Sequence, residues 1–215
     1  MNILFYTILP EIVLLSIISL HLVKKNSEMV FLYGFQSIAI VLMLFCSFLT
    51  TGKLSLLLVT VVVLLAKVIL APLFFNKLIL KHKLVFSVKK YVNTSFSLVI
   101  IAILIITAYS DKFTSLTNII PANHASLSLA FSAMLLSLFL IVNSRGALSQ
   151  IVAILSLENS IVAFAVFAEL EQSAGLQIGI VFDIFVWMIV ATMFVSMIQK
   201  HFGSIDVTSM KNLKD

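Results

Sequence analysis

Residues 54–77 read LSLLLVTVVVLLAKVILAPLFFNK. Between Lys53 and Lys77 the only charge is Lys67. A hydrocarbon core about 30 Å thick is crossed by roughly 20 apolar residues in helical form, and this stretch supplies them. Its apolar run is continuous, whereas a transmembrane barrel strand is short and alternates. The expectation is a membrane-spanning helix with a lysine in its middle and a proline, Pro72, five residues later.

The same reading repeats outward from that stretch. Spans are expected at approximately 3–22, 29–49, 54–77, 92–110, 125–142, 147–168 and 176–199. Lys24 to Ser27 separate the first two, and Thr51, Gly52 and Lys53 form a tight turn. Lys77 to Lys90 make a loop with five lysines, and Asp111 to Asn123 a longer one containing Pro121. Asn143 to Gly146 form another tight turn, and Glu169 to Gly175 an acidic one. Met1 and Asn2 lead directly into apolar sequence, with no basic stretch or small-residue cleavage site, so no secretory signal is expected.

Composition agrees. Of 215 residues, 61% are hydrophobic and 11% charged, against roughly 25% charged in soluble domains. So few charges do not cover a soluble fold of this size. The fold class expected is all-α: a polytopic transmembrane bundle of about seven helices. The net charge of +5 lies in short loops, where it sets topology rather than binding nucleic acid. One side collects Lys24, Lys25, Lys77, Lys81, Lys83, Lys89, Lys90, Arg145, Lys200, Lys211 and Lys214, and the other Lys53 and Lys112. This asymmetry puts the amino terminus outside and the carboxyl terminus in the cytoplasm. The single cysteine, Cys46, allows no intrachain disulfide.

Glu11, Lys67, Glu158 and Asp183 fall inside spans. Each costs roughly 2.5–3.5 kcal/mol near the bilayer centre on insertion scales. At about 1.5 Å per residue, Glu11 lies roughly 12 Å deep, Lys67 roughly 20 Å, Glu158 roughly 15 Å and Asp183 roughly 10 Å. All four share one central band, as lateral proton transfer requires. The alternative is structural ion pairing, with Lys67 neutralising Glu158 or Glu11. Three acids face one base, so pairing alone leaves an acid that is protonated or sees water. Lys67, Glu158 and Asp183 are therefore candidate proton-path residues, with Glu11 a weaker candidate nearer a span end.

Pro72 removes the hydrogen bond to the Val68 carbonyl and is expected to kink the helix beside Lys67. That kink either opens a polar cavity or serves packing alone. Asn159 and Ser160 do not share the helix face of Glu158; its facing neighbours are Ile154, Leu155, Ile161 and Val162, a setting that disfavours the charged form. Tyr33 and Gln36 lie on one face of the second span, and either bond across helices or merely pack.

No Cys/His cluster with metal-ligand spacing appears, and His21, His82, His124 and His201 all sit at span ends or in loops. No phosphate-binding glycine loop or nucleophile–base pair is recognisable. No catalytic residue, metal or cofactor is expected in this chain.

The carboxyl-terminal half, from about residue 128, resembles NuoK, the small membrane subunit of respiratory complex I. The resemblance runs through the turn Asn143–Ser144–Arg145–Gly146, the pattern Ile154–Leu155–Ser156–Leu157–Glu158–Asn159, a last helix carrying Asp183, and the tail Gly203–Ser204–Ile205–Asp206–Val207. Over its whole length the chain resembles the hydrogenase-4 component E family, through Tyr33–Gly34–Phe35–Gln36–Ser37 and Lys67–Val68–Ile69–Leu70–Ala71–Pro72–Leu73. Glu11 has no counterpart in that resemblance, and Asp183 stands where complex I usually has glutamate. The resemblance implies a four-helix membrane region at 1–122 and a NuoK-like three-helix region with a short cytoplasmic tail at 123–215. It implies a non-catalytic subunit of an oxidoreductase complex of the energy-converting hydrogenase, formate hydrogenlyase or complex I type. The location implied is the bacterial cytoplasmic membrane. The partners implied are antiporter-like and quinone-site-like membrane subunits and a peripheral redox arm. Glu158 and Asp183 match the family's two membrane carboxylates on the proton path. A stand-alone proton-coupled solute transporter and a structural scaffold are the competing expectations; the sequence lacks the internal repeat usual in the former.

Overall fold

The structure, a computed structural model, describes residues 3–82 and 88–170 and the single positions 179, 182, 186, 189 and 193. The rest of the expected seventh span, Asp183 included, lies outside the described residues. The protein is an all-α helical bundle, and among the described residues the only β feature is an isolated bridge between Lys90 and Ser144. The helices are α1 (Ile3–Leu20), α2 (Asn26–Thr51), α3 (Leu54–Val63), α4 (Ala71–His82), α5 (Thr94–Ala108), the single turn α6 (Thr114–Thr117), α7 (His124–Asn143) and α8 (Ala147–Phe167). A π-helical turn, Leu64–Leu70, joins α3 to α4 in one apolar run.

Four stretches are long and apolar enough to cross a membrane: Asn26–Thr51, Leu54–Lys81, Pro121–Asn143 and Ala147–Phe167. They coincide with four of the expected spans. The first and fourth expected spans form shorter helices. In α5 the Asn93 side chain caps the start by accepting from the Phe96 amide at 2.9 Å, and the helix gives out before Tyr109. Its 15 residues rise about 22 Å, less than the hydrocarbon thickness. Of the expected seventh span, Gly179, Phe182, Val186, Ile189 and Met193 are helical and exposed, spaced as one helix face is.

Local chemistry sets the ends. Glu28 lies in the first turn of α2, where the helix dipole favours an acid, and pairs with Lys25 at 3.4 Å. Gly52 stops α2 in the left-handed region (φ 67°) while its N–H returns to the Phe48 carbonyl at 2.8 Å; a Cβ is costly at that φ. The carboxyl end of α1 is capped from a distance. The Lys90 ammonium donates to the carbonyls of Leu20 and Val23, at 3.4 Å each, and to that of His21. A cation belongs there, opposite the negative end of the dipole.

Lys90 is held in place by a short extended segment. The Tyr91 amide donates to the Asn143 carbonyl (3.0 Å), the Val92 amide to Asn143 Oδ1 (2.8 Å), and the Arg145 amide to the Lys89 carbonyl (2.9 Å). The Arg145 guanidinium lies 4.5 Å over the Tyr91 ring. Burial pulls the Lys90 ammonium down from 10.5 to about 8. Between those two values the unfolded chain keeps the proton and the folded chain releases it, so stability rises with pH. Wild type is thus expected to gain stability relative to Lys90→Gln as pH rises from about 8 to 10.5. Thermal melts of the two proteins across that window measure it; a constant difference contradicts it.

Helix α2 packs on α1, α3, α4, the π turn and α8, while α7 packs on α8, α1, α5 and α6. Ala130, Ala133 and Ser137 on α7 and Ala153, Ser156, Ser160 and Ala163 on α8 are small and buried, and Ser137 meets Ser160 between the two helices. They allow the close helix approach that drives association where lipid is as apolar as the side chains. One core cluster joins Met29, Tyr33, Ala66 and Phe75 to Leu148, Val152 and Leu155, so residues from both expected regions share a core.

Candidate functional site

Lys67 sits at the midpoint of the Leu54–Lys81 stretch and is fully buried. Its position follows from Pro72. Proline has no N–H to offer the Val68 carbonyl, and its ring crowds that carbonyl. The ladder relaxes by widening, and the Ala71 amide bonds to the Ala66 carbonyl, five residues back. The expected kink is thus realised as a π-helical turn that holds Lys67. The turn also lies close to α2: a Cβ placed on Gly34 would stand 3.4 Å from Pro72 Cγ.

From there Lys67 Nζ reaches α8. It stands 2.9 Å from Glu158 Oε1 and donates to Asn159 Oδ1 at 2.9 Å. The Glu158 side chain is 14% exposed. The apolar setting expected for Glu158 is corrected here. Its own helix supplies apolar neighbours at three and four residues, but the group it meets comes from another helix. Asn159, set aside in sequence because it turns about 100° away from Glu158 on α8, is the second partner of Lys67. Sharing a face matters for neighbours on one helix; a long side chain from outside can lie between two adjacent positions. The signal available in sequence was an asparagine in an apolar span beside the candidate acid.

The polarity of the next bonds follows from the charge. Lys67 only donates, so Asn159 turns its oxygen to it and its amide nitrogen away. That nitrogen donates to Ser37 Oγ (3.1 Å) and Gln36 Oε1 (3.4 Å), and Ser156 Oγ also donates to Gln36 Oε1 (2.9 Å). Ser37 in turn donates to the Tyr33 carbonyl (2.9 Å). On the far side Ser160 Oγ donates to the Ser156 carbonyl (2.9 Å) and lies 3.3 Å from Ser137 Oγ. A polar layer therefore crosses α7, α8, α2 and the π turn near mid-helix. Gln36 belongs to it through hydrogen bonds; Tyr33 is fully buried beside it, next to Ser37.

The remaining candidates fall elsewhere. Glu11 is exposed on α1, outside this layer. Asp183 lies outside the described residues. Among the described residues no three His, Cys, Asp or Glu side chains gather as a metal set would. Cys46 is buried with a free thiol.

The arrangement can move a proton over a short distance. Lys67 Nζ and Glu158 Oε1 are close enough for the proton between them to change owner with little heavy-atom motion. When an outside proton neutralises Glu158, Asn159 Oδ1 still holds the ammonium. The π turn is what aims Lys67, so Pro72→Ala is expected to disrupt the pair. An amide at position 72 can bond the Val68 carbonyl, close the turn to α-helical register and swing Lys67 by about one residue, or 100°. A cysteine pair replacing Lys67 and Glu158 should then cross-link readily with Pro72 and poorly with Pro72→Ala; equal cross-linking contradicts this role for Pro72.

No family model, no curated protein and no solved structure matches the chain.

Proposed function

We propose that this chain is a membrane subunit of a complex I-like or energy-converting hydrogenase-type complex, and that it carries part of a mid-membrane proton path coupled to redox chemistry in partner subunits. One observation supports this reading above the others: a fully buried lysine on a π turn, paired at 2.9 Å with a carboxylate on another helix and backed by a polar layer. π turns recur at functional sites. An ionisable pair at membrane depth is costly to keep and marks ion pathways. The sequence resemblance to the hydrogenase-4 component E family gives the pair its setting, between a quinone-site-like subunit and antiporter-like subunits in a bacterial cytoplasmic membrane. The chemistry of electron transfer then belongs to the peripheral arm.

A scaffold role is the second reading. It is favoured by the completeness of the Lys67 contacts, since a charge held by both Glu158 and Asn159 is also good structural glue.

Assembly tests the subunit reading. Purified in mild detergent from its native host, the chain is expected to emerge with much larger membrane partners and a redox-active peripheral arm. Recovery as a monodisperse protein that transports by itself contradicts it.

A further inference from the structure

Glu11 is exposed near the midpoint of α1, an 18-residue helix. It lies about 12 Å along the axis from Ile3 and about 14 Å from Leu20. On the inner face of α1, Leu9, Val13, Ile17 and Leu20 are buried, and the helix packs on α2 and α7. The outer face carries Ile8, Glu11 and Leu15, three and four residues apart and all exposed. A glutamate side chain is too short to carry its charge from mid-helix to either membrane surface, as a long lysine or arginine near a helix end does. A carboxylate on the lipid-facing side at this depth is costly, and intramembrane acids turn to a partner.

The chain itself supplies no base for it. Glu11 takes part in neither the Lys25–Glu28 pair nor the Lys67–Glu158 pair. Away from the span ends, Lys67 is the only lysine or arginine in the seven expected spans. Its ammonium is already held by Glu158 and Asn159. The seventh expected span, 176–199, adds an acid, Asp183, and no lysine or arginine. A second copy brings the same inventory, and α1 against α1 across a two-fold axis sets one Glu11 beside another. Charge complementarity therefore points to a different chain.

We propose that the Ile8–Glu11–Leu15 face of α1 docks on a transmembrane helix of a partner subunit, and that this helix carries a lysine or arginine paired with Glu11. The proposal rests on the subunit reading and adds the chemistry of the partner to it. Docking takes both charges out of lipid together, and Ile8 and Leu15 shield the pair on either side, where its attraction is stronger than in water. It also selects the partner. Any apolar helix can cover Ile8 and Leu15, but one without a base leaves Glu11 unpaired.

The test uses the full chain in its native membrane. A photo-reactive benzophenone side chain is placed at Leu15, or at Ile8 if assembly fails, leaving Glu11 intact. After illumination the complex is purified in mild detergent and the cross-linked peptide is sequenced. It is expected to come from another chain, from an apolar stretch with a lysine or arginine within about two helical turns of the cross-link, the reach of neighbouring side chains along one face. With Glu11→Gln, the half-life of the chain in the detergent-purified complex is expected to shorten about tenfold, as losing one charge-assisted contact implies. Cross-links to lipid alone, to a second copy or to a stretch without a base overturn the proposal, and so does an unchanged half-life in Glu11→Gln. Co-purification judges the subunit reading separately: if partners are recovered while Leu15 meets only lipid, the docking face falls and that reading stands. If no partner is recovered at all, both fall.

Discussion

Replacing Lys67 by methionine is expected to destabilise the protein by about 3 kcal/mol, since removing one member of a buried pair strands the other. Methionine preserves length and apolar bulk, so packing around the π turn is nearly kept. What is lost is the ammonium that Glu158 Oε1 meets at 2.9 Å and that Asn159 Oδ1 accepts from. Glu158→Gln is expected to cost only about 1 kcal/mol, because the amide oxygen still accepts from Lys67. The double variant should lose less than the sum of the single losses, by about 2 kcal/mol, since with both charges gone nothing is stranded. Unfolding titrations of the four proteins in one detergent give this coupling directly. Additive losses contradict a direct pair.

Much of the bundle was legible because a membrane helix is a one-dimensional signal. The stretch around Lys67 needs only length and polarity to be recognised, and Gly52 marks its boundary by ordinary capping chemistry. The short α5 was less so, because its flanking Val92 and Tyr109 are apolar enough to extend the run, while Val92 bonds to Asn143 and Asn93 caps the helix start. Of the site, sequence offered the residue types and their common depth. Depth alone pairs Lys67 with Glu158 as readily as with Glu11; the structure places Glu11 on the outer face of α1 and Glu158 against Lys67. The partnership of Asn159 with Lys67 and the fixed amide of Gln36 are products of helix rotation, which depends on how α2, α7 and α8 pack on one another. Pro72 announced a broken hydrogen bond, but whether a helix answers with an open kink or a π turn depends on what packs against it, here Gly34.

The stability cycle shows whether the charges are coupled; it does not show that a proton uses them. Glu158→Gln separates the two. The amide matches the carboxylate in shape and still accepts from Lys67, but it cannot bind and release a proton. Proton transfer by a positioned side chain typically contributes 100-fold or more, so loss of the group should be plain in the rate. The measurement is made in sealed vesicles carrying the assembled complex, with redox turnover and proton movement recorded together. With Glu158→Gln the account predicts wild-type amounts of assembled complex and proton movement per turnover reduced to about one per cent, a loss on the order of 100-fold. Proton movement at the wild-type ratio in Glu158→Gln, with Glu158→Leu merely lowering the amount of assembled complex, would make the pair structural and contradict the account.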